Sequence, residues 1–145
     1  LLDHVAGSIS GPWLCSFNVQ DLGLLCSSYA RLAHRSASLF QLCAEELLWK
    51  LPDAEAQELA LVAGAWAKVR AYDARLFRHI SALTLRRLQD FGPRHLASVL
   101  HAFARLDALG PELFRALAAR LSRPEVAGEL SAVAVSQACL ALARA

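Results

Sequence analysis

Between Leu22 and Leu32 the apolar side chains fall at three- and four-residue steps, Leu22, Leu25, Cys26, Tyr29 and Leu32, with polar residues among them. On a helix of about 3.6 residues per turn that spacing gathers them into one stripe. The stretch, LGLLCSSYARL, returns thirty-seven residues later as LALVAGAWAKV (Leu59 to Val69) and thirty-seven further as LASVLHAFARL (Leu96 to Leu106). Aligned, it gives the columns Leu22, Leu59, Leu96; Leu25, Val62, Val99; Tyr29, Trp66, Phe103; Ala30, Ala67, Ala104; and Arg31, Lys68, Arg105. A second block keeps the same interval: Leu39-Phe40, Leu76-Phe77 and Leu113-Phe114. A fixed period in this range marks a stacked repeat whose units bury their apolar faces only against neighbours.

The pattern predicts two helices per unit. The first unit, 17–53, has helices at about 19–33 and 37–50, the second packing through Leu39, Phe40, Cys43, Leu47 and Trp49 and stopping near Pro52. The second unit, 54–90, has them at about 55–70 and 73–88, and the third covers 91–129. Asn18 and Asp73 are placed to cap helices with their side-chain oxygens, Pro93 falls in a first turn, and Gly110-Pro111 opens another helix. Val135, Ala138, Leu142, Ala143 and Arg144 match the first-helix columns after a two-residue extension near Ser122-Arg123-Pro124 and Gly128, so 130–145 reads as the first helix of a fourth unit. Residues 1–16 read as the end of a preceding unit followed by a loop through Gly7, Ser8, Gly11 and Pro12. No segment alternates with period two. The fold expected is all-α, an α-solenoid of antiparallel helical hairpins with a repeat of about 37 residues, one continuous stretch of a longer chain.

Composition sharpens this picture. Hydrophobic residues make up 56% of the chain, above the roughly 45–50% of ordinary soluble domains, and mean hydropathy is +0.35. The longest near-apolar run, Leu59 to Ala67, is far short of the ~20 residues a bilayer helix needs, so the apolar excess is expected to face protein and no membrane is implied. Net charge is +2, too mild to identify a nucleic-acid binder by itself. The cations are arginine except for Lys50 and Lys68, and arginine suits phosphate and planar groups, although genome base composition explains the same bias. Cys15, Cys26, Cys43 and Cys139 form no metal-ligand spacing; Cys26 and Cys43 lie on apolar faces, as small buried hydrophobes in a reducing compartment do.

Catalytic motifs are absent: there is no phosphate-binding glycine loop, no zinc-protease helix and no nucleophile elbow. His95 and His101 are six apart, poorly placed to share a metal or a proton. No catalytic residue, metal, cofactor or small-molecule substrate is expected. Two sets of residues carry a candidate function. Arg31, Lys68, Arg105 and Arg144 put one cation at the same place in every first helix. A cation near a helix carboxy terminus is favoured by about 0.3–1 kcal/mol against the macrodipole, which explains the column structurally; a ladder of charges following an RNA backbone explains it functionally. Gln20, Gln57 and Arg94, beside Asp21, Glu58 and His95, with Ser27, Gly64 and His101 further along, differ from unit to unit while the apolar columns hold. Variable polar positions on a fixed scaffold suit ligand reading, and they are also what unconstrained solvent positions look like. The aromatic column Tyr29, Trp66, Phe103 reads as core filling, with base stacking as its surface alternative.

FNVQDLGLLCSSYARL with Leu39-Phe40, and HLASVLHAFARL with Leu113-Phe114, resemble the heptatricopeptide class of organellar helical repeats, itself similar to octotricopeptide repeats and to the repeats of the Fas-activated serine/threonine kinase family that often precede a RAP domain. The resemblance runs from residue 17 to 145. It implies a non-enzymatic protein that binds or organises RNA beside neighbouring protein subunits in a mitochondrion, or alternatively a plastid, with a mitochondrial ribosome as the expected setting. Its RNA contacts would come from the first helices, here Gln20, Gln57, Arg94, His101 and the cation column. The rival expectation is a protein-binding solenoid scaffold without RNA contact. The first-helix face separates the two: a positive strip favours RNA and an apolar groove favours a protein.

Overall fold

The computed structural model describes residues 4, 7–9, 11–32 and 36–143. These are all-helical, with no strand among them. The helices are α1 (Gly11–Leu14), α2 (Val19–Arg31), α3 (Ala37–Lys50), α4 (Ala56–Val69), α5 (Ala74–Arg86), α6 (Pro93–Arg105), α7 (Pro111–Leu121), α8 (Pro124–Ala127) and α9 (Ala132–Leu142). Single 3₁₀ turns, Leu51–Asp53 and Leu88–Asp90, follow α3 and α5. Thirty-seven residues separate the first residues of α2, α4 and α6, and the same interval separates α3, α5 and α7; α9 follows α6 by thirty-nine.

Local chemistry sets the helix ends. Asn18 Oδ1 accepts from the Asp21 amide at 2.8 Å while the Asn18 amide donates to Asp21 Oδ2 at 3.1 Å, a reciprocal capping box that satisfies two otherwise orphaned donors of α2. Glu55 and Glu58 do the same for α4. Asp73 Oδ1 takes the Leu76 amide at 2.9 Å to start α5. The turns out of α4 and α6 match. Arg70 after α4 and Asp107 after α6 both adopt left-handed backbone, φ 54° and 53°, and the following amides, Ala71 and Ala108, donate back to the carbonyls of Trp66 and Phe103 at 3.0 and 2.9 Å. This is the geometry that closes a helix over its last carbonyls, here without the usual glycine.

Packing is in two layers. The first helices α2, α4, α6 and α9 lie against one another in chain order, the second helices α3, α5 and α7 do likewise, and each second helix also contacts its own first helix. Between the layers sit the apolar columns: Leu22, Leu59 and Leu96 are fully buried, as are Cys43, Ile80 and Leu117. Aromatic rings join successive hairpins. Phe40 of α3 meets Trp66 of α4 edge-on at 4.9 Å between centroids, and thirty-seven residues later Phe77 of α5 meets Phe103 of α6 edge-on at 5.0 Å. Such pairs contribute about 0.5–1.5 kcal/mol beyond their burial. The carboxy ends of α3 and α5 are each tied back by a cation: Lys50 Nζ donates to the carbonyls of Cys15 and Phe17, both at 2.8 Å, and Arg87 Nη1 donates to the carbonyl of Ala54 at 2.6 Å. Phe17 and Ala54 are register equivalents immediately ahead of α2 and α4, so each tie fixes the open end of one hairpin.

Three local expectations are corrected. Trp49 does not pack; it is 85% exposed, because the buried stripe of α3 runs Leu39, Phe40, Cys43, Ala44, Leu47 and Leu51, and a residue two past Leu47 lies about 200° round the helix from it. Leu32 is 62% exposed, since α2 ends at Arg31 and Leu32 is its cap rather than part of its stripe. Gly11 and Pro12 belong to the short helix α1, where Pro12 occupies a first turn that needs no amide donor and Leu14 is fully buried, α1 resting against α3.

Candidate nucleic-acid interface

The first helices α2, α4 and α6 share a concave face that mixes polar and charged side chains with small ones and Leu61. Gln20 and Ser27 from α2, Gln57, Glu58, Gly64 and Lys68 from α4, and Arg94, His95, Ser98, His101 and Arg105 from α6 line a single open groove of about 620 Å³. Its floor is made where α4 carries small side chains: Ala60, Gly64, Ala65 and Ala67 line it, and the space above Gly64 is empty to 4 Å. A trough forms because α4, the middle helix, is low while α2 and α6 carry longer polar groups on either side. The lining positions on α6, residues 94, 98, 101 and 105, advance by four, three and four, which is one face of a helix.

The groove therefore brings together Gln20, Gln57, Lys68, Arg94, His101 and Arg105 of the sequence-predicted contacts. Arg31 is exposed in the last turn of α2 and does not line it. Arg144 lies outside the described residues. Asp21 is outside the groove with its carboxylate committed to the capping box. Ser98 and Leu61 line the groove and were not singled out from sequence; Ser98 had a readable signal, a polar residue one turn after Arg94 and three before His101.

Electrostatically the groove is cationic. Lys68, Arg94 and Arg105 face it against one carboxylate, Glu58, whose Oε2 already accepts from the Glu55 amide at 2.8 Å. None of the three cations forms an ion pair among the described residues. Arg105 Nε is shielded from solvent and has no hydrogen-bond partner among the described residues, a donor left unmet at a half-buried arginine. Arg31, Lys68 and Arg105 each occupy the last turn of their helices, so the dipole term applies equally to all three. Convergence on one groove distinguishes Lys68 and Arg105 from Arg31, and the dipole does not account for it. Among the described residues no group of three or more His, Cys, Asp or Glu side chains is placed to hold a metal ion, and no helix is long and apolar enough to cross a membrane.

Fold and groove define a class: a two-layer helical protein with a concave, positively charged first-helix face. The chain belongs to the RNA-editing substrate-binding complex 6 protein family, whose model matches residues 10–145. That family agrees with the broader part of the resemblance, a helical protein that works on RNA, and singles out neither the heptatricopeptide class nor a ribosome. No curated protein matches the chain.

Proposed function

We propose that this chain is a non-catalytic stretch of α-solenoid, with hairpins repeating every 37 residues, that binds single-stranded RNA along its first-helix groove as part of a mitochondrial RNA-editing substrate-binding complex. The observation that carries the reading is the convergence of Lys68, Arg94 and Arg105, without ion pairs among the described residues, with Gln20, Gln57 and His101 in one groove. Cations in such a trough meet the phosphate backbone, and amide and imidazole groups at the variable positions meet base edges. A groove for an apolar peptide or subunit surface would be lined by large hydrophobic side chains; here Leu61 is the one large apolar residue among the lining. The family description supports a complex, so other protein subunits are expected partners, and it offers nothing in favour of a ribosomal subunit.

The test is a salt series. Replacing Lys68, Arg94 and Arg105 together by glutamine should leave the helical spectrum intact and lower the slope of log affinity against log salt by about two for a single strand, at ~0.7 per lost phosphate contact. Arg31→Gln, outside the groove, serves as the control and should leave the slope unchanged. Superimposable binding curves for the wild type and the triple variant would reject the groove as the RNA site.

A further inference from the structure

The second helices present a surface that the groove does not use. In α3 the residues Gln41, Glu45 and Trp49 are exposed at four-residue steps; in α5 they are followed at the 37-residue interval by Arg78, Ala82 and Arg86, and around α7 by Arg115, Ala119 and Arg123, all exposed. The register thus arranges nine side chains in three rows across three helices that pack in sequence. The outer columns are Gln41, Arg78, Arg115 and Trp49, Arg86, Arg123; the middle column is small on two of its three helices. None of the four arginines pairs with a carboxylate among the described residues, and Glu45 is the only acid in the array. Along α3 and α5 the two outer columns are about 12 Å apart, from eight residues at ~1.5 Å each, Arg123 stands two residues past the end of α7, and neighbouring helices are roughly 8–10 Å apart. By register the two arginine columns therefore lie on either side of Ala82 and Ala119, with Trp49 at the α3 end of one of them.

We infer that this second-helix face is a second RNA-binding surface, which takes a single-stranded segment with its phosphates between the arginine rows and one unpaired base stacked on Trp49. Three features favour RNA over an acidic protein. The cations are arginines, whose planar groups bind phosphate bidentately and stack on bases. The aromatic ring is 85% exposed and sits in the arginine register, the combination used to hold single strands without sequence preference. Between the arginine columns the exposed residues are Ala82 and Ala119, so apart from Trp49 the array offers no large apolar side chain to anchor a protein partner. Because α3, α5 and α7 form the opposite layer from α2, α4 and α6, the chain would hold two RNA segments at once, one on each face. The inference rests on the reading of the protein as an RNA binder, and its test keeps the two surfaces apart.

The experiment uses the intact protein and a short oligouridylate, counting bound strands by native mass spectrometry. The wild type should bind two. The variant with Arg78, Arg86, Arg115 and Arg123 replaced by glutamine should bind one, and so should the groove variant with Lys68, Arg94 and Arg105 replaced. Indole fluorescence should be quenched on titration, and Trp49→Phe should remove that quenching while leaving the fold unchanged. A single strand on the wild type that is lost only in the groove variant would overturn the second surface and leave the groove standing. A strand lost only in the second-helix variant would do the reverse. Quenching that persists in Trp49→Phe would remove the stacking contact from the proposal.

Discussion

Replacing Trp66 by alanine should be among the most damaging changes available to this chain. The ring is 1% exposed, it belongs to the helix that packs between α2 and α6, and it stands edge-on to Phe40 at 4.9 Å. A buried aromatic withdraws roughly 150–250 Å² from water, which at about 25 cal/mol per Å² amounts to ~4–6 kcal/mol, and alanine keeps only the first carbon of it. Large-to-alanine changes of this kind lose roughly 3–5 kcal/mol. With a urea m-value of about 2 kcal/mol per molar, the unfolding midpoint followed by far-ultraviolet circular dichroism should fall by roughly 2 M. The edge contact is separable by a double-mutant cycle, Phe40→Leu with Trp66→Leu, whose coupling should be about 0.5–1.5 kcal/mol. Trp49→Ala provides the comparison, because an 85% exposed ring should cost no more than ~0.5 kcal/mol. A loss below about 1 kcal/mol at Trp66, or a larger loss at Trp49 than at Trp66, would refute the packing argument and return the aromatic column to the surface.

Thr84 occupies the column that holds Leu47 one unit earlier and Leu121 one unit later; it is fully buried and its hydroxyl has no partner among the described residues, so Thr84→Val should raise stability by about 1–2 kcal/mol in the same urea assay, and a loss would mean that the hydroxyl is engaged. Cys15 is exposed, but its thiol donates to Glu46 Oε1 at 3.0 Å, and that hydrogen bond, with lesser contributions from desolvation and the carboxylate charge, raises its pKa above the ordinary 9.0. Less thiolate is then present at pH 8, so iodoacetamide should modify Cys15 slowly and Glu46→Gln should speed the reaction; equal rates in both proteins would dismiss the Glu46 contact. Cys26 is held up more strongly, by its hydrogen bond with Cys43 and by burial, and should stay unmodified until the protein unfolds. Since its folded pKa is raised, its contribution to stability is complete below about pH 9 and is lost only as pH climbs beyond that.

What the sequence made legible was whatever recurs as a residue type. Leu22, Leu59 and Leu96 announce a buried stripe because three leucines at one interval leave little else to explain them, and all three are fully buried. Asn18 and Asp73 were readable as caps because a short side-chain oxygen ahead of an apolar run has one dominant use. The ties from Lys50 and Arg87 were not readable. Each reaches a carbonyl thirty-three residues back in the chain, and the cations themselves are indistinguishable in composition from solvated ones. The left-handed turns at Arg70 and Asp107 were hidden for a related reason: a glycine there would have signalled the backbone, whereas arginine and aspartate tolerate it silently once the amide that follows is satisfied. Trp49 misled because an aromatic near a helix end reads as core, and only its angle from Leu47 shows otherwise.

The candidate site was legible for positions and not for partners. A cation column read along the sequence treats Arg31, Lys68 and Arg105 as equivalent, yet a groove is a property of neighbours. Lys68 and Arg105 stand on adjacent helices whose facing positions are small, Gly64 and Ala65 on one and Ala102 on the other, so their side chains overlook a shared trough. Arg31, with the same place in its own helix, does not line that trough. The small residues are therefore as much a part of the site as the charged ones, and no charge-based reading of the sequence could rank them. In both layers the periodic apolar positions fix where the helices lie, the capping boxes and cation ties fix their ends, and the side chains that differ between units are left to face outward on elements whose register is already set.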